Sequence, residues 1–163
     1  MVISAFRCET QEFRYGILDV KYFRSPRFRL KEYLKQASRV VFRLLDNLKL
    51  KAQEPIQICN GYIFDEAVKD LREAYGVDRI RRIKVIGKPQ RLTEIAYLDE
   101  LRNLGYEPVE GRDKMRAKSF FHMMNWLKKN PDKLIYAKTG WPRLLRYRLF
   151  RSYHQARSKE DRR

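Results

Sequence analysis

Apolar and polar positions follow two different periods along this chain. In 2–9 (VISAFRCE) and 13–23 (FRYGILDVKYF) apolar and aromatic residues dominate short runs, so both segments read as strands. The TQE between them is short enough for a hairpin. Ser25-Pro26 then suits a helix start, with a cap residue followed by proline. From there the period lengthens: Leu30, Leu34, Ala37, Val41, Leu44 and Leu48 recur at alternating intervals of four and three, one face of a helix over 28–50. Arg29, Lys31, Lys35, Arg39 and Arg43 fall off this seam, and Glu54-Pro55 ends it.

A second rhythm starts at IQICNG (56–61), a short apolar strand. FDEAVKDLREAYG (64–76) reads as a helix with Asp65 as its cap and Gly76 as its stop. IRRIKVIG (80–87) is the next expected strand, and 88–105 the next helix, with Pro89 in its first turn and Gly105 closing it. YEPVEG (106–111) adds a candidate strand. A helix from Asp113 to about Lys129 has Ala117, Phe120, Phe121, Met124 and Leu127 as its apolar face, with Trp126 beside it. Asn130-Pro131 stops that helix, and 132–140 reads as a last strand.

The order ββαβαβαβα predicts a single α/β (or α+β) domain over 1–163. An N-terminal hairpin continues into βαβαβ units in one mixed sheet, and a basic helix or arm follows at 138–163. A length of 163 residues and 44% hydrophobic content support a real core without disulfides or metal. Cys8 and Cys59 lie far apart in apolar surroundings and read as small buried side chains, and no Cys/His spacing suggests zinc. The N-terminal stretch does not resemble a signal peptide and no long apolar run suggests a membrane span, so the expected compartment is the cytoplasm. Charged residues reach 35% while Ser and Thr number nine, an ionic surface of the kind common in thermophile proteins.

Charge changes the picture more than composition does. The net +17 is divided unevenly: residues 1–54 carry 12 basic and 6 acidic side chains, 55–112 carry 10 of each, and 113–163 carry 15 and 4. Such a field destabilises a folded chain by self-repulsion, and its usual use is attraction to a polyanion. The aromatic, basic flanks suit nucleic acid in particular. In 138–153, Arg143, Arg146, Arg148 and Arg151 alternate with Trp141, Leu145, Tyr147, Phe150 and Tyr153, and KYFRSPRFRLK at 21–31 contributes Arg24 and Arg27. Guanidinium forks match phosphates and rings match base faces; packing the rings inward would display the charge. VIGKPQR adds Lys88 and Arg91 at a helix N-terminus, where free N–H groups favour anions. It is not a nucleotide-binding loop: the GxxxxGK[ST] spacing is missing.

Acidic residues supply a different reading. Asp19 lies in an apolar strand, Asp65 directly follows a strand, and Glu94 sits in the helix after VIG. Carboxylates converging on Mg²⁺ or Mn²⁺ would make a metal-dependent nuclease, the metals clamping the scissile phosphate. Taken singly, the three acids are equally well explained as an ion-paired residue, a helix cap and a helix-surface pair. The two histidines, His122 and His154, lack a neighbouring nucleophile pattern. The first reading is therefore a nucleic-acid-binding protein that contacts the phosphate backbone through its two basic flanks, DNA and RNA being undistinguished. The alternatives are a Mg- or Mn-dependent nuclease using Asp19, Asp65 and Glu94, and an assembly protein meeting an acidic protein partner. The amphipathic helix at 28–50 also allows a homodimer.

Overall fold

The computed structural model describes residues 1–109, 111 and 115–153. β1 (Val2–Arg7) pairs antiparallel with β2 (Glu12–Ile17), Val2 opposite Ile17 and Arg7 opposite Glu12. Alternation along β1 sends its side chains to two faces. Ile3 is buried in the main core, while the Ser4 hydroxyl lies 2.6 Å from the Thr93 hydroxyl of α3 (Lys88–Asn103). The hairpin thus carries α1 (Glu32–Asn47) on one face and α3 on the other. Helix α1 buries Tyr33, Ala37, Val40, Val41, Leu44 and Leu45, close to the expected seam; Leu30 lies before the helix and is 68% exposed.

β3 (Ile56–Cys59), α2 (Asp65–Tyr75) and β4 (Ile80–Ile83) make the expected β-α-β unit, with the two strands parallel. Ala67, Val68 and Leu71 of α2 and Ile56, Ile58 and Ile80 of the strands complete one hydrophobic core with α1. Arg7 ties the hairpin to the loop before β3: its Nε and Nη2 donate to the Glu54 carboxylate at 2.9 and 2.7 Å, and Nη2 also reaches the Lys49 carbonyl.

The protein is mixed α/β, but it is not built on a single sheet. Its strands form two separate two-stranded sheets, β1-β2 and β3-β4. Local chemistry explains each missing strand. The segment 13–23 leaves extended form after Ile17, because the Asp19 carboxylate accepts from the Lys21 N–H at 2.8 Å and caps a 3₁₀ turn over Val20–Phe23. At 106–109, Tyr106 turns inward against the rings of His122 and Trp126. The 132–140 segment follows Pro131 and winds into a 3₁₀ turn, Pro131–Tyr136. The Ser25-Pro26 start is also displaced: these residues form a turn, and α1 begins after Lys31 in a left-handed conformation.

A second, smaller hydrophobic cluster gathers Met124 and Leu127 of α4 (Arg116–Lys129), Leu134 and Phe150. The segment between its two halves is docked on the first core. The Gly140 N–H donates to the Phe23 carbonyl at 2.7 Å, and Trp141 stacks on Phe23 and Phe28, with ring centroids 6.1 and 4.6 Å away. Among the described residues no helix is long and apolar enough to cross a membrane.

Candidate nucleic-acid interface

The seam that turns α1 inward fixes what it shows to solvent. Lys31, Lys35, Arg39 and Arg43 stand four residues apart at and along the helix, and all four are exposed. At 1.5 Å rise per residue, successive members sit about 6 Å apart along the axis. Like charges at this spacing destabilise a helix by roughly 0.2–0.5 kcal/mol per pair. Among the described residues none of the four is placed in a salt bridge; Glu32, next to Lys31 in the chain, lies 3.9 Å from Arg27 instead. The row is therefore an uncompensated stripe.

Opposite the stripe runs the turn after β2. Between them lies a groove of about 400 Å³ lined by Ile17, Leu18, Asp19, Lys21, Tyr22, Gln36, Arg39, Val40 and Arg43. Gly16 allows the close approach that forms it: a Cβ there would meet Val40 Cγ1 at 3.0 Å and the Arg43 guanidinium at 3.5 Å. Tyr22 is flanked by two cations, with Lys21 Nζ 5.2 Å and the Arg27 guanidinium 5.6 Å from its ring. The one carboxylate in the groove is Asp19. Partial burial pushes its pKa up, but bonds from the Lys21 backbone and ammonium, with the charges of Lys21 and Arg24, outweigh that and hold it below the usual value. It is an ionised capping group, 3.1 Å from Lys21 Nζ.

The remaining basic candidates divide. Arg24 is not at the surface: it is 9% exposed, and its guanidinium donates to the carbonyls of Ala137 (3.4 Å) and Leu134 (3.3 Å), clamping the smaller cluster to the turn that carries it. Arg27 is exposed beside the groove. Lys88 reaches Gln11 Oε1 at 2.6 Å and lies over Phe6, so it bridges α3 to the hairpin turn, whereas Arg91 is exposed one turn further on. Arg143 and Arg146 lie on a 3₁₀ turn, Pro142–Arg146, and Arg148 and Arg151 on helical backbone at 148–153; all four are exposed while Phe150 is buried. Arg146 donates to the Tyr147 hydroxyl at 2.8 Å and Arg151 to the Leu145 carbonyl at 3.2 Å.

The three acids do not meet. Asp65, the first residue of α2 rather than its cap, pairs with Arg82 at 2.8 Å, and Glu94 accepts from Gln90 at 3.0 Å. Among the described residues no group of three or more His, Cys, Asp or Glu side chains is placed to hold a metal ion. Both cysteines are free, and Cys8 is exposed where a buried residue was expected. His122 Nδ1 lies 3.0 Å from the Tyr106 hydroxyl; His154 and Asp113 fall outside the described residues.

Helix α4 departs from its expected face. It buries Ser119, Met124 and Leu127 and leaves Phe120 and Phe121 36% and 48% exposed. Burying a Phe side chain is worth roughly 1.5–3 kcal/mol, so turning serine inward and two phenylalanines outward runs against the hydrophobic preference. Met124 and Leu127, which belong to the expected face, are buried with Leu134 and Phe150. Comparison of the chain with protein-family models, with curated proteins and with solved structures finds no match.

Proposed function

We propose that this protein binds nucleic acid through the phosphate backbone, with the α1 stripe and its groove as the main contact. The observation that carries the reading is the row Lys31, Lys35, Arg39 and Arg43, exposed and without salt bridges among the described residues, with Arg39 and Arg43 lining the groove that Lys21 also lines. A helix bearing such a row is relieved by phosphates, whose spacing and charge complement it. Arg27 extends the row, and Arg143, Arg146, Arg148 and Arg151 form a second cationic surface. Arg24 contributes only indirectly, by holding the segment that leads to them.

The test is binding of labelled single- and double-stranded DNA and RNA across salt, with Mg²⁺, Mn²⁺ or EDTA. Binding without cleavage is expected. If the five groove and stripe cations each neutralise one phosphate, log K against log salt falls with a slope of about −4.5 on duplex DNA. A slope near zero refutes the reading. Metal-dependent cleavage that is lost in Asp19→Asn would replace it with the nuclease. Copurification with an acidic protein in a complex that survives nuclease treatment would replace it with the assembly role.

A further inference from the structure

The outward-facing rings of α4 do not stand alone. Phe120 and Phe121 meet edge-to-face at 5.4 Å between centroids, and both approach Tyr147, at 5.5 and 6.4 Å. Tyr147 is half-buried against the cluster of Met124, Leu127, Leu134 and Phe150, so it anchors the exposed pair to a core. Its far side is covered by Arg146, whose guanidinium lies 4.8 Å from the ring. Arg116 precedes Phe120 by four residues and Lys118 precedes Phe121 by three, the helical spacings that bring side chains together on one surface. Across 115–153 the chain carries ten Lys and Arg residues against one carboxylate, Asp132, which is engaged by Lys133 at 3.4 Å.

An exposed apolar patch by itself fits many partners. This patch is aromatic, and it is set in almost purely cationic surroundings. An uncharged apolar protein surface would leave those cations desolvated and unpaired at its edge. A duplex would satisfy the cations and leave the rings idle, because its base faces are already stacked. Unpaired nucleotides satisfy both at once, with bases on the rings and phosphates on the arginines.

Resting on the reading above, we infer that Phe120 and Phe121, backed by Tyr147, form a stacking platform for unpaired bases, which makes single-stranded nucleic acid the preferred ligand. The α1 stripe supplies sequence-independent phosphate contacts to either form of the polymer; the platform supplies the discrimination.

The experiment measures binding of oligo(dT), oligo(U) and a duplex of equal length to the full chain and to Phe121→Ala, Phe121→Tyr and Phe120→Ala. A strand carrying 2-aminopurine reports stacking directly. Phe121→Ala is expected to weaken single-strand binding roughly 5- to 100-fold and leave duplex affinity and salt slope unchanged, since each base–ring stack carries an effect of that order. Phe121→Tyr should restore it, which separates the platform from a folding defect, and the wild type should quench 2-aminopurine. Salt-dependent binding that does not distinguish strand from duplex and is unmoved by Phe121→Ala overturns the platform and leaves the phosphate-binding reading standing. A wild type that ignores all three polymers but captures poly-glutamate overturns both.

Discussion

Gly140 joins the two hydrophobic clusters, and adding one methyl group there should pry them apart. Its N–H donates to the Phe23 carbonyl at 2.7 Å, yet a Cβ at this position would itself lie 2.7 Å from that carbonyl oxygen, and it would collide with Phe28 Cγ and Cβ. Phe28 has little freedom to yield, being stacked on Tyr33 at 5.3 Å and against Trp141 at 4.6 Å. The backbone carbonyl has less. Gly140→Ala must therefore lift the segment, losing a hydrogen bond of about 1 kcal/mol and straining a packed site by roughly 1–3 kcal/mol. The expected loss is about 2–4 kcal/mol. Urea denaturation followed by fluorescence measures it, with Trp126→Phe leaving Trp141 as the single reporter at the junction. Phe28→Ala removes the contact with Cγ but keeps the Phe28 Cβ and the Phe23 carbonyl in place, so the loss should shrink in part and the double-mutant cycle should show coupling. A loss below about 1 kcal/mol, or strict additivity with Phe28→Ala, would refute this account of the junction.

Other consequences are equally direct. Arg24→Met should destabilise the protein by roughly 1–3 kcal/mol, because it removes the guanidinium from the Ala137 carbonyl and one of the two donors to the Leu134 carbonyl, which keeps the Ala137 N–H; its nucleic-acid salt slope should stay that of the wild type, and a reduced slope would return Arg24 to the interface. Arg39→Ala with Arg43→Ala should lower the magnitude of that slope by about 2 while leaving thermal stability unchanged or higher. Lys138 makes stability depend on alkaline pH. Burial lowers its pKa from 10.5 to about 8, while the Phe23 ring 4.4 Å from Nζ partly compensates the charge. The unfolded chain then binds more protons than the folded one between pH 8 and 10.5, so stability should rise across that window, by roughly 2–3 kcal/mol. Lys138→Met should be flat there and more stable at neutral pH; denaturation midpoints at several pH values decide it.

The sequence was most legible where one period served one purpose. Helix α1 could be read because its apolar residues keep one seam and α2 because glycine stops it; the hairpin could be read because TQE leaves no other short closure. Strands were over-assigned where an apolar run met an interaction that is not itself periodic. Asp19 shows this most clearly. In sequence it is a carboxylate lodged in GILDV, where an unpaired charge would be costly, so it reads as either an ion-paired residue or a metal ligand. In the fold it ends the strand by binding the N–H of Lys21, so the polar residue that looked anomalous is the reason the strand stops. Loss of that strand length, with the turns at 106–109 and Pro131–Tyr136, leaves two pairs of strands where one sheet was expected.

The candidate interface was half legible for a related reason. That the flanks are strongly cationic follows from charge counts, which no folding event alters. Which cations face outward depends on partners far along the chain: Arg24 and Arg27 are three residues apart, yet one clamps carbonyls 110 and 113 positions away and the other is exposed beside Tyr22. The stripe on α1 was visible as residues off the seam, but its meaning lies in what is missing around it, since Glu32, the one acid in the first turn, leans toward Arg27. Helix α4 is the limiting case. Met124 and Leu127 of the expected face are buried, yet Phe120, four residues before Met124, and Phe121 stay exposed where hydrophobicity alone would bury them. The proposed preference for unpaired bases rests on these two exposed rings, and substitution of Phe121 probes it more directly than any change in net charge.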